Sequence, residues 1–235
     1  MPAPTTLPKY IQISERLIRD IAAGHLVDGA RLPPERDMAD SLGLSVGTLR
    51  KALAVLAEKG LLARVQGSGN YIRQVAGVSS VYGFLRLERR GGGGLPTAQV
   101  LTVDRLPKPD DAPVFGTGTD GWRIRRLRRL DGIPVALEEI WLDGPKASSL
   151  TADDLSESLY LHYRDRLDLV IASVEDRVGL RAVPDWTVAP FAPQAGASCA
   201  HITRLSRDGQ GQSVEFSRTW FDTDQARYIS RIGKG

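Results

Sequence analysis

A chain of 235 residues with 42% hydrophobic and 25% charged side chains can bury one large core or two small ones, and its composition excludes general disorder. No apolar run reaches the ~18 residues of a membrane span. Met1 to Lys9 also lacks the basic-then-apolar layout of a secretory leader, so a cytoplasmic protein without a membrane partner is expected. The net charge of +3 is unevenly placed: residues 1–73 carry ten Lys and Arg against seven Asp and Glu, and the rest carries twenty-one of each. A basic module on a neutral body fits a nucleic-acid partner.

In chain order, Tyr10, Ser14, Leu17, Ile18 and Ile21 recur at helical spacing, and Gly24 stands where a helix C-terminus prefers it. Pro34, Glu35 and Asp37 open a second helix with Met38, Ala39 and Leu42 as its inner stripe, ended by Gly43. Ser45 is an N-cap for a third, whose apolar positions are Val46, Leu49, Leu53 and Leu56 and which Gly60 stops. Residues 61–72 read as two short strands around the turn Gln66-Gly67-Ser68-Gly69. Residues 74–80 are small, polar and aperiodic, which predicts a linker; the Gly91–Gly94 run reads as a flexible loop. Beyond it, 122–130 and 135–142 flank Asp131-Gly132, and 200–206 and 213–221 flank a second Gly-rich turn, both hairpin patterns. Between them, 158–167 predicts a helix and 169–178 a strand. The expected fold class is therefore α+β, with a DNA-binding domain over 1–73, a linker over 74–80 and a mixed α/β domain over 81–235.

Three helices followed by a Gly-tipped hairpin describe a winged helix-turn-helix. The third helix fits a major groove, and its face opposite Leu49 and Leu53 offers Gly47, Thr48 and Lys51, with Arg50 at the flank. Arg36 and Arg50 suit phosphates or guanine edges, and Gln66 on the wing reaches the backbone or minor groove. The competing reading is a helix-turn-helix retained for packing, with a solvated basic face; the joint presence of wing and basic helix start weighs against it.

Leu32-Pro33-Pro34-Glu35-Arg36-Asp37-Met38-Ala39, Leu42-Gly43-Leu44-Ser45, Thr48-Leu49-Arg50-Lys51-Ala52-Leu53 and Leu56-Ala57-Glu58-Lys59-Gly60-Leu61-Leu62 together resemble the DNA-binding domain of GntR-type regulators over residues 8–73. The resemblance implies DNA contacts from Arg36, Thr48, Arg50, Gln66, Gly67 and Gly69, with Ser45, Gly47 and Lys51 on the same surface. Val46 and Ser68 stand where that family commonly carries arginine, which implies a shifted operator preference or lower nonspecific affinity.

In the second half, strand alternation puts Trp122, Ile124, Arg126 and Arg128 on one face and Arg123, Arg125, Leu127 and Arg129 on the other. Glu138 lies in an apolar row with Ala136, Ile140 and Leu142. Glu215, Ser217, Thr219 and Phe221 share a face opposite Val214, Phe216 and Trp220. Ser158, at a helix start, offers amides and dipole to an anion. Arginine forks suit phosphate or carboxylate, and carboxylates accept hydroxyl or amine hydrogens, so these groups make a coherent anion or polyol site; as single residues they read equally well as solvated surface pairs.

Asp131-Gly132-Ile133-Pro134-Val135-Ala136-Leu137-Glu138, Ser158-Leu159-Tyr160 and Gly211-Gln212-Ser213-Val214-Glu215-Phe216-Ser217-Arg218 resemble the UTRA effector domain of the HutC branch of that family, over about residues 81–230. The resemblance implies a chorismate-lyase-like α/β fold, dimerisation, and an effector such as a phosphosugar or a carboxylate metabolite. It implies that Arg126, Arg128, Glu138, Ser158, Tyr160 and Glu215 hold that effector. The segment 184–196, with three prolines and Trp186, departs from the family, which usually has a short helix there.

The expected function is a homodimeric regulator, a repressor, bound to an inverted-repeat operator in double-stranded DNA and modulated by a small anionic metabolite. A lyase-like enzyme and a DNA-bound protein with a non-sensing second domain are the alternatives. Against an enzyme, His25, His162 and His201 have no partners at motif spacing, Cys199 reads as a small strand hydrophobe, and no metal or nucleophile motif occurs; no cofactor is expected.

Overall fold

A computed structural model describes residues 7–75, 80, 82–155 and 157–231. The described chain divides into two compact units, Leu7–Leu95 with the segment from Tyr228, and Pro96–Arg227.

The first unit opens with α1 (Lys9–Ala22), α2 (Glu35–Ser41) and α3 (Val46–Glu58). Ser45 caps α3 through its side chain, which accepts a hydrogen bond from the Thr48 amide at 3.1 Å. The inner stripes meet in one core in which Ala39, Leu49, Ala52, Leu56 and Ile72 are fully enclosed. Strands β1 (Leu62–Val65) and β2 (Gly69–Ile72) form the wing, with Leu62 opposite Ile72 and Val65 opposite Gly69. A backbone bridge from Arg31 to Tyr71 lays the segment before α2 along β2. Strand β3 (Leu87–Arg89) leads into the Gly91–Gly94 run. That run is a fitted turn rather than a flexible loop: a Cβ on Gly92 would lie 2.7 Å from His25 Nε2, and one on Gly93 2.6 Å from Asp20 Oδ1. The buried Arg19 on α1 donates to the carbonyls of Leu87 and Gly94, at 2.5 and 2.8 Å. At the expected linker, the Gln74 amide donates to Asp28 Oδ1 at 2.8 Å, and residues 76–79 lie outside the described residues.

The second unit is a six-stranded antiparallel sheet. Its strands are β4 (Pro96–Pro107), β5 (Asp120–Leu130), β6 (Ile133–Asp143), β7 (Ile171–Ala182), β8 (Ser198–Asp208) and β9 (Ser213–Phe221), in the order β4-β5-β6-β9-β8-β7. Asp131 and Gly132 turn β5 into β6 with φ of 50° and 80°, the left-handed pair that a two-residue hairpin requires. Helix α4 (Leu159–Leu167) forms where expected, and a short strand β10 (Ala226–Tyr228) ends the ordered elements. Strand β4 went unread in the sequence. It is half-exposed along most of its length and bounded by prolines, as an edge strand can be.

The sheet has two unlike faces. On one, Leu127, Leu137, Cys199 and Trp220 pack with Val183 and Phe191, and Phe115, Trp141 and Phe216 make a second cluster. The proline-rich segment 184–196 supplies Trp186 and Phe191 to this face: Trp186 meets Trp220 edge-on at 5.8 Å. Cys199 is buried there, with its Sγ on the Phe221 carbonyl and its thiol pushed up by burial, as a small core residue. The opposite face carries the polar groups of β5, β6, β8 and β9 and meets Tyr160 of α4.

Candidate functional site

On the first unit, Gly47, Arg50 and Lys51 of α3 and Arg36 of α2 are exposed, and Thr48 is half-buried beside its cap Ser45. Gln66, Gly67 and Gly69 are exposed on the wing. Arg50 is not a lone cation. Its Nε donates to Glu35 Oε2 at 2.6 Å, and that bond holds the Glu35 carboxyl below the usual range. Asn70 of β2 reaches the other Glu35 oxygen at 3.5 Å, so the carboxylate faces α3 and the wing together.

Between wing and α2 lies a groove of about 540 Å³ lined by Arg31, Glu35, Arg64, the 66–69 turn and Asn70. A Cβ added to Gly69, whose φ is +127°, would lie 3.2 Å from Arg31 Nε. The glycine therefore makes room for the guanidinium as well as for the turn. Ser68 spends its hydroxyl on Tyr71 Oη, 2.6 Å away within the wing. Glu35, Arg31, Arg64 and Asn70 were not named as DNA-contact residues in the sequence. Each is an ordinary polar residue until β2 and the segment before α2 are laid side by side.

In the second unit, four of the six sequence-derived residues meet on adjacent strands and two come from the α4 end. Register sets Arg126 opposite Glu138 and Arg128 opposite Ala136. Arg126 donates to Glu138 Oε2 through Nη2 and Nε at 2.7 and 3.0 Å; Arg128 donates through Nε to Oε1 at 3.0 Å and through Nη2 to Oε2 at 3.1 Å. All three side chains are under a tenth exposed. Burial alone would raise the Glu138 pKa, but the two guanidiniums outweigh it and bring it down to about 2. Arg126 keeps Nη1 buried without a hydrogen-bond partner among the described residues.

Ser158 caps α4, accepting from the Leu161 amide, and the neighbouring Glu157 carbonyl accepts from Arg128 Nη1 at 3.3 Å. Tyr160 extends from α4 to a second polar group, with its hydroxyl 2.9 Å from Glu215 Oε1 and 2.8 Å from Ser206 Oγ. Burial pushes the Glu215 carboxyl and the Tyr160 phenol up, so both favour their neutral forms. Beside them Arg204 grips Asp176 with two bonds of 2.6 and 2.7 Å. Arg204, Asp176 and Ser206 were missed in the sequence: the β8–β9 hairpin was read but the alternation of β8 was not followed, and the pairing of β7 with β8 that brings Asp176 to Arg204 has no local signal. The two clusters lie on one face: Glu138 is opposite Thr219, two residues from Ser217, which is itself two from Glu215. In chemical terms, arginine forks suit an acceptor-rich anion and a carboxyl–phenol group suits hydroxyls.

A basic helix and wing in one unit and a charge-lined antiparallel sheet in the other define a transcriptional regulator built from a DNA-binding module and a separate sheet domain. Residues 9–72 match the bacterial regulatory proteins of the gntR family, and residues 92–227 match the UTRA domain. The chain belongs to the GntR family and carries a UTRA domain. It is 58% identical over 227 residues to the HTH-type transcriptional regulator SmoD of Agrobacterium fabrum, covering 97% of both chains. It is 27% identical to the mannosyl-D-glycerate transport/metabolism system repressor MngR of Escherichia coli, over 94% of each, and 24% identical to the HTH-type transcriptional repressor NagR of Bacillus subtilis, over 95% and 94%. In fold it resembles the possible transcriptional regulator YydK of Bacillus subtilis (TM-score 0.55, 20% identity, 97% and 100% covered) and PhnF of Mycobacterium smegmatis (TM-score 0.50, 18% identity, 91% and 96% covered). SmoD, MngR and NagR are transcriptional regulators, so the lyase-like enzyme is set aside. No helix among the described residues is long and apolar enough to cross a membrane.

Proposed function

We propose that this GntR-family regulator is a homodimeric repressor that holds an inverted-repeat operator through two winged helices and releases it when a small anionic metabolite binds at Arg126 and Arg128. Residues 1–73 bind DNA, residues 81–235 bind effector and dimerise, and 74–80 link them. The observation that carries this reading is the buried Arg126 guanidinium, which keeps one N–H without a partner among the described residues. Two guanidiniums converge there on one buried carboxylate, and the N–H left over is on Nη1 of Arg126. A buried N–H without a partner is costly, and an anion such as a phosphosugar or carboxylate metabolite offsets that cost. Two relatives are named repressors, which supports repression as the sign of the effect.

Release requires the effector to bind the DNA-free arrangement more tightly than the DNA-bound one. The test is a thermal-shift screen of the purified protein against phosphosugars, sugar acids and amino-acid derivatives, each hit then titrated into a complex with operator selected in vitro. A ligand at ~100 times its dissociation constant adds about 2.7 kcal/mol to native stability. An anionic hit that weakens operator binding supports the reading, and hits confined to neutral compounds overturn it.

A further inference from the structure

The carboxylate of Glu35 sits in the surface that should meet DNA, where a negative charge opposes phosphate. Its partner explains it. Arg50 lies on the exposed flank of α3, with its side chain 67% exposed, and its one hydrogen bond among the described residues is the 2.6 Å contact from Nε to Glu35. Bonding at Nε leaves both terminal Nη groups for an outside acceptor. A guanidinium fixed at Nε presents the remaining fork in one orientation, the geometry that matches the O6 and N7 acceptors of guanine. The same carboxylate offsets the arginine's charge, so a charged phosphate loses more of its attraction than a neutral base edge, which needs only the donors of the fork.

Glu35 is itself fixed. It opens α2, where the helix dipole favours a carboxylate, and Asn70 of the wing approaches its second oxygen at 3.5 Å. Arg64 on β1 also lowers its pKa through charge, which favours the ionised carboxylate.

We infer that Glu35 is the residue that makes Arg50 a guanine reader: it positions the guanidinium and suppresses its affinity for backbone phosphate. This rests on the reading that Arg50 faces a base. Glu35 touches no DNA in this role and acts through Arg50.

The experiment uses the full-length protein, an operator obtained by in vitro selection, and a random duplex of equal length, with binding measured across a salt series. Glu35→Gln keeps the shape and removes the charge; Glu35→Asp keeps the charge and shortens the reach. In Glu35→Gln the ratio of operator to random affinity should fall about tenfold. Random-DNA binding should tighten, and the slope of log affinity against log salt should steepen by about one as Arg50 takes a phosphate. Replacing the contacted guanine by 7-deazaguanine should weaken the wild type and leave Glu35→Gln almost unaffected. Glu35→Asp should restore part of the discrimination. Equal loss on both DNAs with an unchanged slope, or no change at all, overturns the inference. Arg50→Ala separates the two levels: if it leaves guanine discrimination intact, the reading of Arg50 fails, whereas if it abolishes discrimination and Glu35→Gln does not, only the role of Glu35 fails. Circular dichroism melting of each variant checks that the fold is retained.

Discussion

Arg126 Nη2 donates to Glu138 Oε2 at 2.7 Å with both side chains under a tenth exposed, and Arg128 closes on the same carboxylate from the next position on its face of the strand. One acid thus serves two cations inside the sheet domain. Removing the acid takes the shared carboxylate from both cations, whereas removing Arg128 leaves the Arg126–Glu138 pair in place. Glu138→Ala should therefore cost about 3–5 kcal/mol of stability in the sheet domain. Arg128→Ala should cost less, preserve operator affinity and abolish the response to any anionic hit. Denaturant melts with an operator-binding assay check both; an unchanged response in Arg128→Ala removes that residue from the effector site.

Tyr160 bridges α4 to the sheet through Glu215 and Ser206. Tyr160→Phe keeps the ring but withdraws the hydroxyl from a buried carboxyl, a loss worth about 1–3 kcal/mol. The expected outcome is a lower melting temperature for the sheet domain with DNA binding intact, and a weaker response to polyhydroxylated effectors. A melt indistinguishable from wild type would mean the hydroxyl contributes nothing to docking α4.

His201 lies within 4.9 Å of the Trp220 ring, 6% exposed, and its Nε2 has no partner among the described residues. Burial, with Arg181 and Arg218 nearby, brings its pKa down to about 4 from 6.5. The folded state then binds a proton less readily than the unfolded chain. Its neutral form contributes stability that is fully present above pH 6.5 and lost as the pH falls from 6.5 towards 4, up to about 3 kcal/mol. His201→Phe should flatten that part of the stability–pH curve, read from denaturant midpoints between pH 4 and 7; an unaltered slope would show that His201 does not set it.

Gly69→Ala tests the wing. The new methyl group meets Arg31 Nε at 3.2 Å, and the residue must hold a φ of +127°. Strain at such a position costs of order 1–3 kcal/mol. DNA affinity should fall as the wing and Arg31 shift, whereas Gly67→Ala meets no atom within 4 Å and strains only the backbone. Equal affinities for the two variants would remove Arg31 from the argument.

Ser45→Ala removes the side-chain acceptor for the Thr48 amide at the start of α3, a loss of about 1 kcal/mol. Operator binding should weaken more than stability does, because the frayed turn carries Gly47 and Thr48. Parallel loss in both measurements would leave the cap with a structural role alone.

Helical periodicity and caps fixed the three N-terminal helices and the wing to within a residue or two, because local spacing and turn chemistry suffice for short elements. Strand alternation likewise separated Arg126, Arg128 and Glu138 from their neighbours before any pairing was known. A period of two assigns faces, but it does not say which strands adjoin. Arg204 and Ser206 come to the polar face across the β8–β9 hairpin, but Asp176 reaches Arg204 only through the pairing of β7 with β8, which no local pattern carries. The same holds for Glu35. As a sequence feature it is an acid in a helix's first turn, suited to the dipole; only the packing of α2 against α3 and the wing sets its carboxylate 2.6 Å from Arg50. Local chemistry determined most of the elements and their faces, though not the edge strand β4, and long-range packing decided which charges meet, since only a closed fold brings distant residues within the reach of a hydrogen bond.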